Sequence, residues 1–267
     1  MSRGDRMLGA VFGDIVGSVY EWNNIKTTQF PLYDSEAFFT DDSVMTIAVA
    51  KALSEANLSN ETEVKQQTIQ WMRKIGKHYP DSGYGGHFFQ WMFDESMGPY
   101  NSFGNGSAMR VSSAGWYASS LSQSLNLAKW VSEITHNHPE GIKGAQATAA
   151  AIYLAKIKHS KKQIKEYIED HFYSLPVSCD VIRPTYQFNE TCQKTVPEAI
   201  VAFLDSTDFE HAIRLAISLG GDSDTLAAIT GSIAEAFYGM SQSNKDYALS
   251  KLDDRLKTIA IDFAQRK

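Results

Sequence analysis

The chain has 267 residues, of which 43% are hydrophobic and 21% charged, a composition typical of a globular protein with a sizeable core. Its formal net charge of −6 repels a polyphosphate backbone, so broad nucleic-acid binding is not expected. Two cysteines, Cys179 and Cys192, are too few for a disulfide framework or a cysteine-rich zinc site, and we expect reduced thiols in a cytoplasmic protein.

The first apolar stretch, Met7–Tyr20, is predicted to be a helix. Asp14 and several glycines interrupt it and no small-residue cleavage site follows, so it reads as neither a signal peptide nor a membrane span. Glycines at positions 9, 13 and 17 share one face and would let another helix or a ligand approach closely. Asp14 is interpreted as a paired structural carboxylate. The sequence leaves open whether Met1 or Met7 is the natural start.

Helical periodicity dominates the remaining chain, and alternating strand-like stretches are nearly absent. The predicted helices are Ser43–Asn57, Glu61–His78, Leu125–Ile134, Gly144–Lys158, Lys161–Phe172, Val196–Leu204, Phe209–Leu219, Thr225–Tyr238 and Asp253–Ala264. Three segments lack this periodicity: Trp22–Phe39, Asp81–Arg110 and Tyr173–Lys194. Long loops in compact domains often carry function. The pattern predicts one compact all-α domain over residues 1–267.

Two acidic clusters stand where predicted helices begin, Phe39–Ser43 and Gly220–Thr225. Aspartate and threonine are favoured helix caps, so either cluster alone is consistent with capping. A cap needs one side chain, however, and each cluster offers two carboxylates and a threonine hydroxyl. Adjacent buried carboxylates repel each other unless cations neutralise them, and oxygen ligands suit magnesium, manganese or calcium. If the clusters meet in space, they could hold two such ions.

Two further segments have features of a ligand site. Gly104–Arg110 is a glycine-rich turn that runs into a helix, and its exposed N–H groups could hold phosphates, although it lacks the lysine of a P-loop. Thr135–Pro139 joins two helices and contains two histidines at a spacing that does not suit zinc. His138 could contact a ligand from this junction. Glu21, between the first helix and the first long loop, could reach a neighbouring site.

In this order the segments resemble the ADP-ribosylglycohydrolase family, and together they span nearly the full chain. The matching pieces are Gly13-Asp14 through Gly17 to Glu21, Phe39–Asp42, Gly104–Arg110, Thr135–Pro139 and Gly220–Thr225. The chain departs from the family at Ser112-Ser113, where relatives commonly carry a proline, and this affects the entry into the following helix.

The resemblance implies an orthogonal all-α fold with two divalent cations, Mg²⁺ or Mn²⁺, at the base of a cleft. The implied metal ligands are Thr40, Asp41, Asp42, Asp222, Asp224 and Thr225. The implied catalytic residues are Glu21, near the catalytic water, with Asp41, Asp42 and Asp222. The implied substrate contacts are Gly104, Asn105, Gly106, Ser107 and Met109 around the ribose and diphosphate, and His138 on the adenosine side.

The implied activity is hydrolysis at the anomeric carbon of ADP-ribose, which releases ADP-ribose from a modified protein or another acceptor. Three alternatives remain: a hydrolase of another ADP-ribose derivative or nucleotide sugar, a catalytically silent ADP-ribose-binding module, and a structural helical protein whose clusters are caps. We expect a monomer without membrane association. The sequence does not specify which residue or base carries the ADP-ribose.

Overall fold

A computed structural model describes residues 6–265 of the chain. Residues 1–5, which bear on whether Met1 or Met7 is the natural start, lie outside the described residues. The fold is all-α, as the periodicity predicts. In chain order the helices are α1 (Leu8–Ser18), α2 (Asp41–Glu55), α3 (Glu61–Gly76), α4 (Gly86–Phe93), α5 (Gly106–Met109), α6 (Ser112–Tyr117), α7 (Leu121–Ser132), α8 (Pro139–Lys156), α9 (Lys161–His171), α10 (Cys179–Ile182), α11 (Cys192–Asp205), α12 (Phe209–Ser218), α13 (Ser223–Tyr238), α14 (Gln242–Lys251) and α15 (Asp254–Gln265).

Helices α1 and α13 form the central pair, and every residue of α1 is buried. The glycine face of α1 makes this contact possible: a Cβ added at Gly13 would overlap the backbone of Ala227, and one added at Gly17 would lie 2.5 Å from the Cα of Asp224. Glycine weakens a helix by up to about 1 kcal/mol relative to alanine, so the packing must compensate. The close approach brings the end of α1 against the start of α13.

Helices α2, α8 and α11 surround this pair and carry many small residues. The buried stretches of α8 and α13 are rich in alanine, which allows helices to pack on several sides at once. One cluster of buried apolar side chains runs through these elements. Both cysteines are buried free thiols, as predicted. Within residues 6–265 no helix has the length and apolar character needed to cross a membrane.

Helix α4 corrects the prediction that Asp81–Arg110 is non-helical. This helix buries Phe88, Trp91 and Met92 on one side, while Phe89 and Phe93 on the other side are substantially exposed. Aromatic residues on both faces hide the apolar stripe that a periodicity argument needs. The helix forms because three large side chains pack into the core, although glycine and aromatic residues are modest helix formers.

The segment Tyr173–Lys194 was likewise predicted to be non-helical, but it contains α10 and the first turn of α11. Helical periodicity predicted the latter helix from Val196. It starts instead at Cys192, whose backbone N–H donates to the carbonyl of Phe103 at 3.0 Å. This tertiary contact fixes an earlier start and leaves Pro197 inside the helix.

Helices α6 and α14 also lie outside the ranges predicted from periodicity, although a helix was expected to follow the glycine-rich turn. Helix α6 begins at Ser112 itself, and both Ser112 and Ser113 are fully buried, so the chain enters a helix here without the proline common in relatives. Helix α14 buries only Asn244 and Ala248, which gives it no apolar stripe to recognise. A hydrogen bond from the Tyr33 hydroxyl to the Asn244 side chain, at 2.5 Å, ties it to the first long loop.

Candidate active site

A cavity of about 820 Å³ is lined by both acidic clusters, the glycine-rich loop and aromatic residues from three loops. Its size falls within the range of small-molecule sites, about 300–1,000 Å³. The sequence-predicted residues that line it are Glu21, Thr40, Asp41, Asp42, Gly104, Asn105, Gly106, Met109, Asp222, Asp224 and Thr225. Ser107 and His138 do not line it. The structure therefore brings together residues that are distant in sequence.

The first cluster is built on the N-terminus of α2. Thr40 is the N-cap, and its hydroxyl oxygen accepts a hydrogen bond from the backbone N–H of Asp42 at 3.2 Å. Capping is thus one role of the threonine, as the local pattern suggested. It does not account for Asp41 and Asp42, whose carboxylates remain available at the cavity.

Asp14 is the structural carboxylate that we expected, and it anchors this cluster from α1. Its side chain is fully buried and accepts hydrogen bonds from the backbone N–H and hydroxyl of Thr40, at 3.0 and 2.6 Å. The backbone N–H of Ser43 donates to it at 3.0 Å, and the Ser43 hydroxyl donates as well. Burial raises the pKa of Asp14 to about 6, while these hydrogen bonds oppose the rise. Asp14 therefore joins α1 to the start of α2.

The second cluster lies at the start of α13, after a sharp turn. Gly220 and Gly221 have φ values of 73° and 77°, in the left-handed region that favours glycine. Asn24 holds the turn: its side-chain oxygen accepts from the N–H of Gly221 at 2.5 Å, and its amide donates to the Gly221 carbonyl at 2.9 Å. The turn directs Asp222 and Asp224 into the cavity.

The two clusters meet. The hydroxyl of Thr225 donates to Oδ2 of Asp42 at 3.0 Å, and the Asn105 amide donates to Oδ2 of Asp222 at 2.6 Å. Carboxylate oxygens of Glu21, Asp222 and Asp224 lie within 4.8 Å of one another. Segments that are far apart in sequence thus place carboxylate oxygens close to one another at this end of the cavity.

The electrostatics of the cluster favour a bound cation. Burial raises the pKa of Asp42 well above its usual range, and repulsion from neighbouring carboxylates raises it further. The same two causes, in the same order, raise the pKa of Asp41. Burial and Asp222 raise that of Asp224. Among residues 6–265 no ion pair joins any of them to lysine or arginine. A carboxylate set of this kind, with hydroxyls nearby, suits a hard divalent cation.

One atom shows the fit directly. Oδ1 of Asp42 is buried and has no hydrogen-bond partner, although its other oxygen accepts from Thr225. A buried acceptor left unpaired costs about 1–3 kcal/mol, more when it is charged. A cation between the clusters would satisfy it. The donor set therefore fits the divalent ions that the family resemblance implies.

Glu21 stands at the edge of this cluster, half-buried, directly after α1. Burial raises its pKa to about 7, and the carboxylates of Asp224, Asp14 and Glu190 contribute to the rise. A side-chain hydrogen bond with Trp22 opposes it. The carboxylate is thus held beside the aspartates, with one side towards solvent.

The glycine-rich loop forms a second wall. The N–H of Asn105 donates to the carbonyl of Glu190 at 2.7 Å, which fixes the loop against the chain before α11. Gly104, Asn105, Gly106 and Met109 line the cavity. The hydroxyl of Ser107 points the other way and donates to the carbonyl of Gly141 at 2.7 Å, so its side chain packs α5 onto α8.

The histidine pair is arranged differently from the expectation. His138 is the N-cap of α8: its Nδ1 accepts from the N–H of Glu140 at 3.1 Å, and its ring packs against Phe103 at 5.2 Å. His136, which was not predicted to contact a ligand, is buried and lines the cavity. Burial, followed by the charge of Arg110, lowers the pKa of His136 well below 6.5, so it is neutral at physiological pH.

Arg110 was not singled out by the sequence, yet it supports this wall. It is fully buried, and its guanidinium donates to the carbonyl of Gly106 at 2.9 Å and to the hydroxyl of Thr135 at 2.8 Å. The Thr135 hydroxyl in turn lies 2.8 Å from Nδ1 of His136. Arg110 therefore couples the glycine loop to the histidine. The only sequence signal was its place at the end of the loop.

The family model described as ADP-ribosylglycohydrolase matches residues 5–267 of the chain. The chain belongs to the ADP-ribosylglycohydrolase family. This confirms the resemblance inferred from the ordered motifs. As an ADP-ribosylglycohydrolase, the chain is an enzyme that hydrolyses a glycosidic linkage of ADP-ribose.

Several curated proteins are similar to this ADP-ribosylglycohydrolase. ADP-ribosylhydrolase ARH3 of Mus musculus is 26% identical over 88% of the chain and 83% of its own length. ADP-ribosylarginine hydrolase Tri1 of Pseudomonas putida is 25% identical over 88% and 70%. ADP-ribosyl-[dinitrogen reductase] glycohydrolase of Rhodospirillum rubrum is 23% identical over 82% and 74%. The name of Tri1 specifies arginine, that of the Rhodospirillum rubrum protein specifies dinitrogen reductase, and that of ARH3 specifies no acceptor, so the names do not give one acceptor for the family.

A solved structure, described as an ADP-ribosylglycohydrolase-related protein complex, superposes on the chain with a TM-score of 0.69. The match covers 98% of each chain at 21% sequence identity. At that identity the likeness concerns the fold, and it supports the all-α assignment over the whole described chain.

Proposed function

We propose that this enzyme releases free ADP-ribose from an ADP-ribosylated protein side chain and depends on two divalent cations, Mg²⁺ or Mn²⁺. The observation that carries the proposal is the meeting of the two acidic clusters, with a buried Asp42 oxygen that has no partner. The proposed metal ligands are Thr40, Asp41, Asp42, Asp222, Asp224 and Thr225. When bound, the cations would orient the ribose hydroxyls and acidify a water molecule.

In the reaction, the bond between the anomeric carbon and the acceptor nitrogen or oxygen breaks. The oxygen of water bonds to the anomeric carbon, and one proton of that water ends on the acceptor atom. The transition state resembles an oxocarbenium ion, which nearby carboxylates stabilise. Glu21 is proposed to hold the attacking water and accept its proton, and the support for this role is that its half-buried carboxylate lies within 4.8 Å of those of Asp222 and Asp224.

The glycine-rich loop is proposed to bind the diphosphate and ribose. Gly104 and Gly106 present backbone close to the cavity, and the Asn105 amide already contacts Asp222. Met109 is a buried apolar residue that lines the same cavity. Neutral His136 is a further polar group on this wall, whereas His138 and Ser107 act through the loop that they support.

The decisive experiment measures release of free ADP-ribose from arginine-, serine- and nucleic-acid-linked substrates, with Mg²⁺, with Mn²⁺ and with a chelator. We expect release from one linkage, abolished by the chelator. An Asp222→Asn/Asp224→Asn double variant should lose at least about 100-fold in rate, since even partners of metal ligands are worth roughly 10–100-fold. Asp246→Asn, on the exposed face of α14, is the matched control and should keep its activity. A fully active double variant would refute the proposal.

A further inference from the structure

A second cavity, of about 670 Å³, lies at the opposite end of the α1–α13 pair from the cavity with the acidic clusters, which we call the catalytic cavity. The catalytic cavity lies where α1 ends and α13 begins, and the second cavity lies where α1 begins and α13 ends. We call it the distal cavity, and its lining includes Arg6, Trp116, Lys156, Lys158, Glu235 and Lys245. No residue that lines it also lines the catalytic cavity, so the proposed function leaves it unused.

Three helices start at the distal cavity. Arg6 lies two residues before α1, Asp208 is the N-cap of α12, and Ser241 is the N-cap of α14, and all three residues line the cavity. The first N–H groups of a helix have no partner within the helix and carry a partial positive charge, so helix starts attract anions. Asp208 and Ser241 cap their own helices with their side chains, whereas Met7, the N-cap of α1, makes no such bond. The backbone therefore makes this end of the protein favourable for a negative charge.

The charged side chains of the distal cavity favour an anion as well. In a chain whose net charge is −6, its cationic residues are Arg6, Lys156, Lys158 and Lys245, and its carboxylates are Asp208 and Glu235. The Asp208 carboxylate is already occupied, because it accepts a hydrogen bond from the backbone N–H of His211 at 2.9 Å. Within residues 6–265, no ion pair joins Arg6, Lys156 or Lys158 to a carboxylate. The cavity thus has an excess of positive charge in an acidic protein.

Two buried polar atoms of the lining residues have no hydrogen-bond partner, the indole nitrogen of Trp116 and Oε1 of Glu235. Glu235 is only 3% exposed, and its other oxygen accepts a hydrogen bond from the N–H of Gly9 at 3.0 Å. Burial raises the pKa of Glu235 to about 8, so at neutral pH the carboxyl is mostly protonated, and the proton belongs on Oε1 because Oε2 is an acceptor. Both unpaired groups are therefore donors. Buried polar groups are nearly always hydrogen-bonded, so two unpaired donors at one cavity indicate a ligand that supplies acceptors.

We propose that the distal cavity binds the phosphate group of a small phosphorylated molecule. Phosphate is an anion with several acceptor oxygens, and helix starts, lysine and arginine are the groups that hold it in proteins. Protonated Glu235 and the Trp116 indole donate to its oxygens, and Lys245 lies close enough for its charge to act on Glu235. The volume exceeds that of phosphate alone and lies within the range of small-molecule sites, and the aromatic Trp116 and Tyr238 line it, which suits a nucleoside phosphate. This site does not depend on the proposed function.

The test follows the indole N–H resonances of the ¹⁵N-labelled full chain by NMR during titration with inorganic phosphate and with AMP, at pH 6.5, constant ionic strength and no added metal. The chain has five tryptophans, of which Trp116 reports on the distal cavity and Trp22 on the catalytic cavity. The variants Trp116→Phe and Trp22→Phe assign the two resonances. We expect phosphate to shift the Trp116 resonance saturably and to leave that of Trp22 in place. No saturable shift of Trp116 with either probe, or a shift of Trp22 alone, would overturn the proposal.

Two variants test the residues that hold the phosphate. Lys245→Gln should weaken phosphate binding at least about 10-fold, since a hydrogen bond to a charged group is worth roughly that much in affinity. Lys162→Gln, which removes an 83% exposed lysine of α9 outside both cavities, is the matched control and should bind as the wild type. Glu235→Gln keeps one acceptor and one donor, so its affinity should stay within about threefold of the wild type, the scatter expected for a single uncharged hydrogen bond.

The outcomes separate this site from charge effects and from other ligands. Equal weakening by Lys162→Gln and Lys245→Gln would reduce the effect to net charge and overturn the site. Much tighter binding by Glu235→Gln would mean that an ionised Glu235 repels the anion, which would overturn its role as a donor. Tighter binding of AMP than of phosphate supports a nucleoside phosphate as the ligand, and equal binding supports recognition of the phosphate group alone.

Discussion

Replacing Gly17 by alanine tests whether the glycine face of α1 positions Asp224, one of the proposed metal ligands. The new Cβ would lie 2.5 Å from the Cα of Asp224, 2.6 Å from the carbonyl oxygen of Ser223 and 2.7 Å from the Asp224 nitrogen. Carbon atoms pack at about 3.5–4.0 Å, so α1 and the start of α13 must separate by about 1 Å. The opposing atoms are backbone and cannot rotate away.

The expected cost follows from two opposing effects. Overpacking a core costs about 1–3 kcal/mol, and alanine returns up to about 1 kcal/mol of helix propensity. A net loss of about 1–2 kcal/mol corresponds to a fall in Tm of roughly 2–8 °C for a chain of this size. The effect on activity should be larger, because a 1 Å misplacement of a catalytic group can cost about 100-fold.

Gly76→Ala is the matched control. It adds a methyl group to another buried helical glycine, but the atoms it meets are the flexible ends of Met92 and Met45. This variant should keep its activity. The assays are thermal denaturation and the rate of ADP-ribose release under saturating metal. If Gly17→Ala kept the wild-type rate, or if both variants lost activity equally, the close approach of the two helices would not be what positions Asp224.

Three further predictions concern buried carboxylates. Asp42→Asn removes a charge from a cluster of mutually repelling carboxylates, so without metal at pH 8 it should raise the free energy of unfolding by at least about 1 kcal/mol. The increase in Tm on adding Mg²⁺ or Mn²⁺ should be smaller for this variant than for the wild type. Asp14→Asn replaces one acceptor of the Thr40 and Ser43 hydrogen bonds with a donor and should lower that free energy by about 1–3 kcal/mol in urea titrations; no change would contradict its anchoring role. Burial raises the pKa of Glu235 to about 8 from 4.5, so the contribution of this group to stability is fully present below pH 4.5 and is lost as the pH rises to about 8. Glu235→Gln lacks this loss, and its Tm relative to wild type should gain the equivalent of about 2 kcal/mol between pH 6 and 8; a constant difference would refute the assignment.

The acidic clusters could be predicted because each contains more carboxylates than helix capping requires. Capping requires one side chain, and the second aspartate at each helix start exceeds that need, which pointed to a ligand role for Asp42 and Asp224. The glycine spacing in α1 likewise predicted a close helix contact. These inferences depend on short-range patterns that survive folding unchanged.

The histidines show where such reasoning fails. His138 directly precedes Pro139, and proline is favoured at the first position of a helix. That signal marks His138 as the cap of α8 and leaves His136 to face the cavity, yet the start of this helix was predicted five residues later, at Gly144. The role of Arg110 depends on a contact with Thr135, which lies 25 positions further along the chain, and no local pattern in the sequence encodes it.

The pairing of α1 with α13 has a consequence for how the enzyme is made. The N–H of Gly9 donates to the Glu235 side chain at 3.0 Å, across 226 positions of sequence. At about 5–20 residues per second, α1 leaves the ribosome roughly 10–40 s before its partner helix exists. During that interval the side chains of Val11, Phe12 and Ile15, all fully buried in the finished fold, have no core to join. The nascent chain therefore carries this apolar segment without its partner helix until α13 has been made, and the α1–α13 contact that brings Glu21 near Asp224 forms only then.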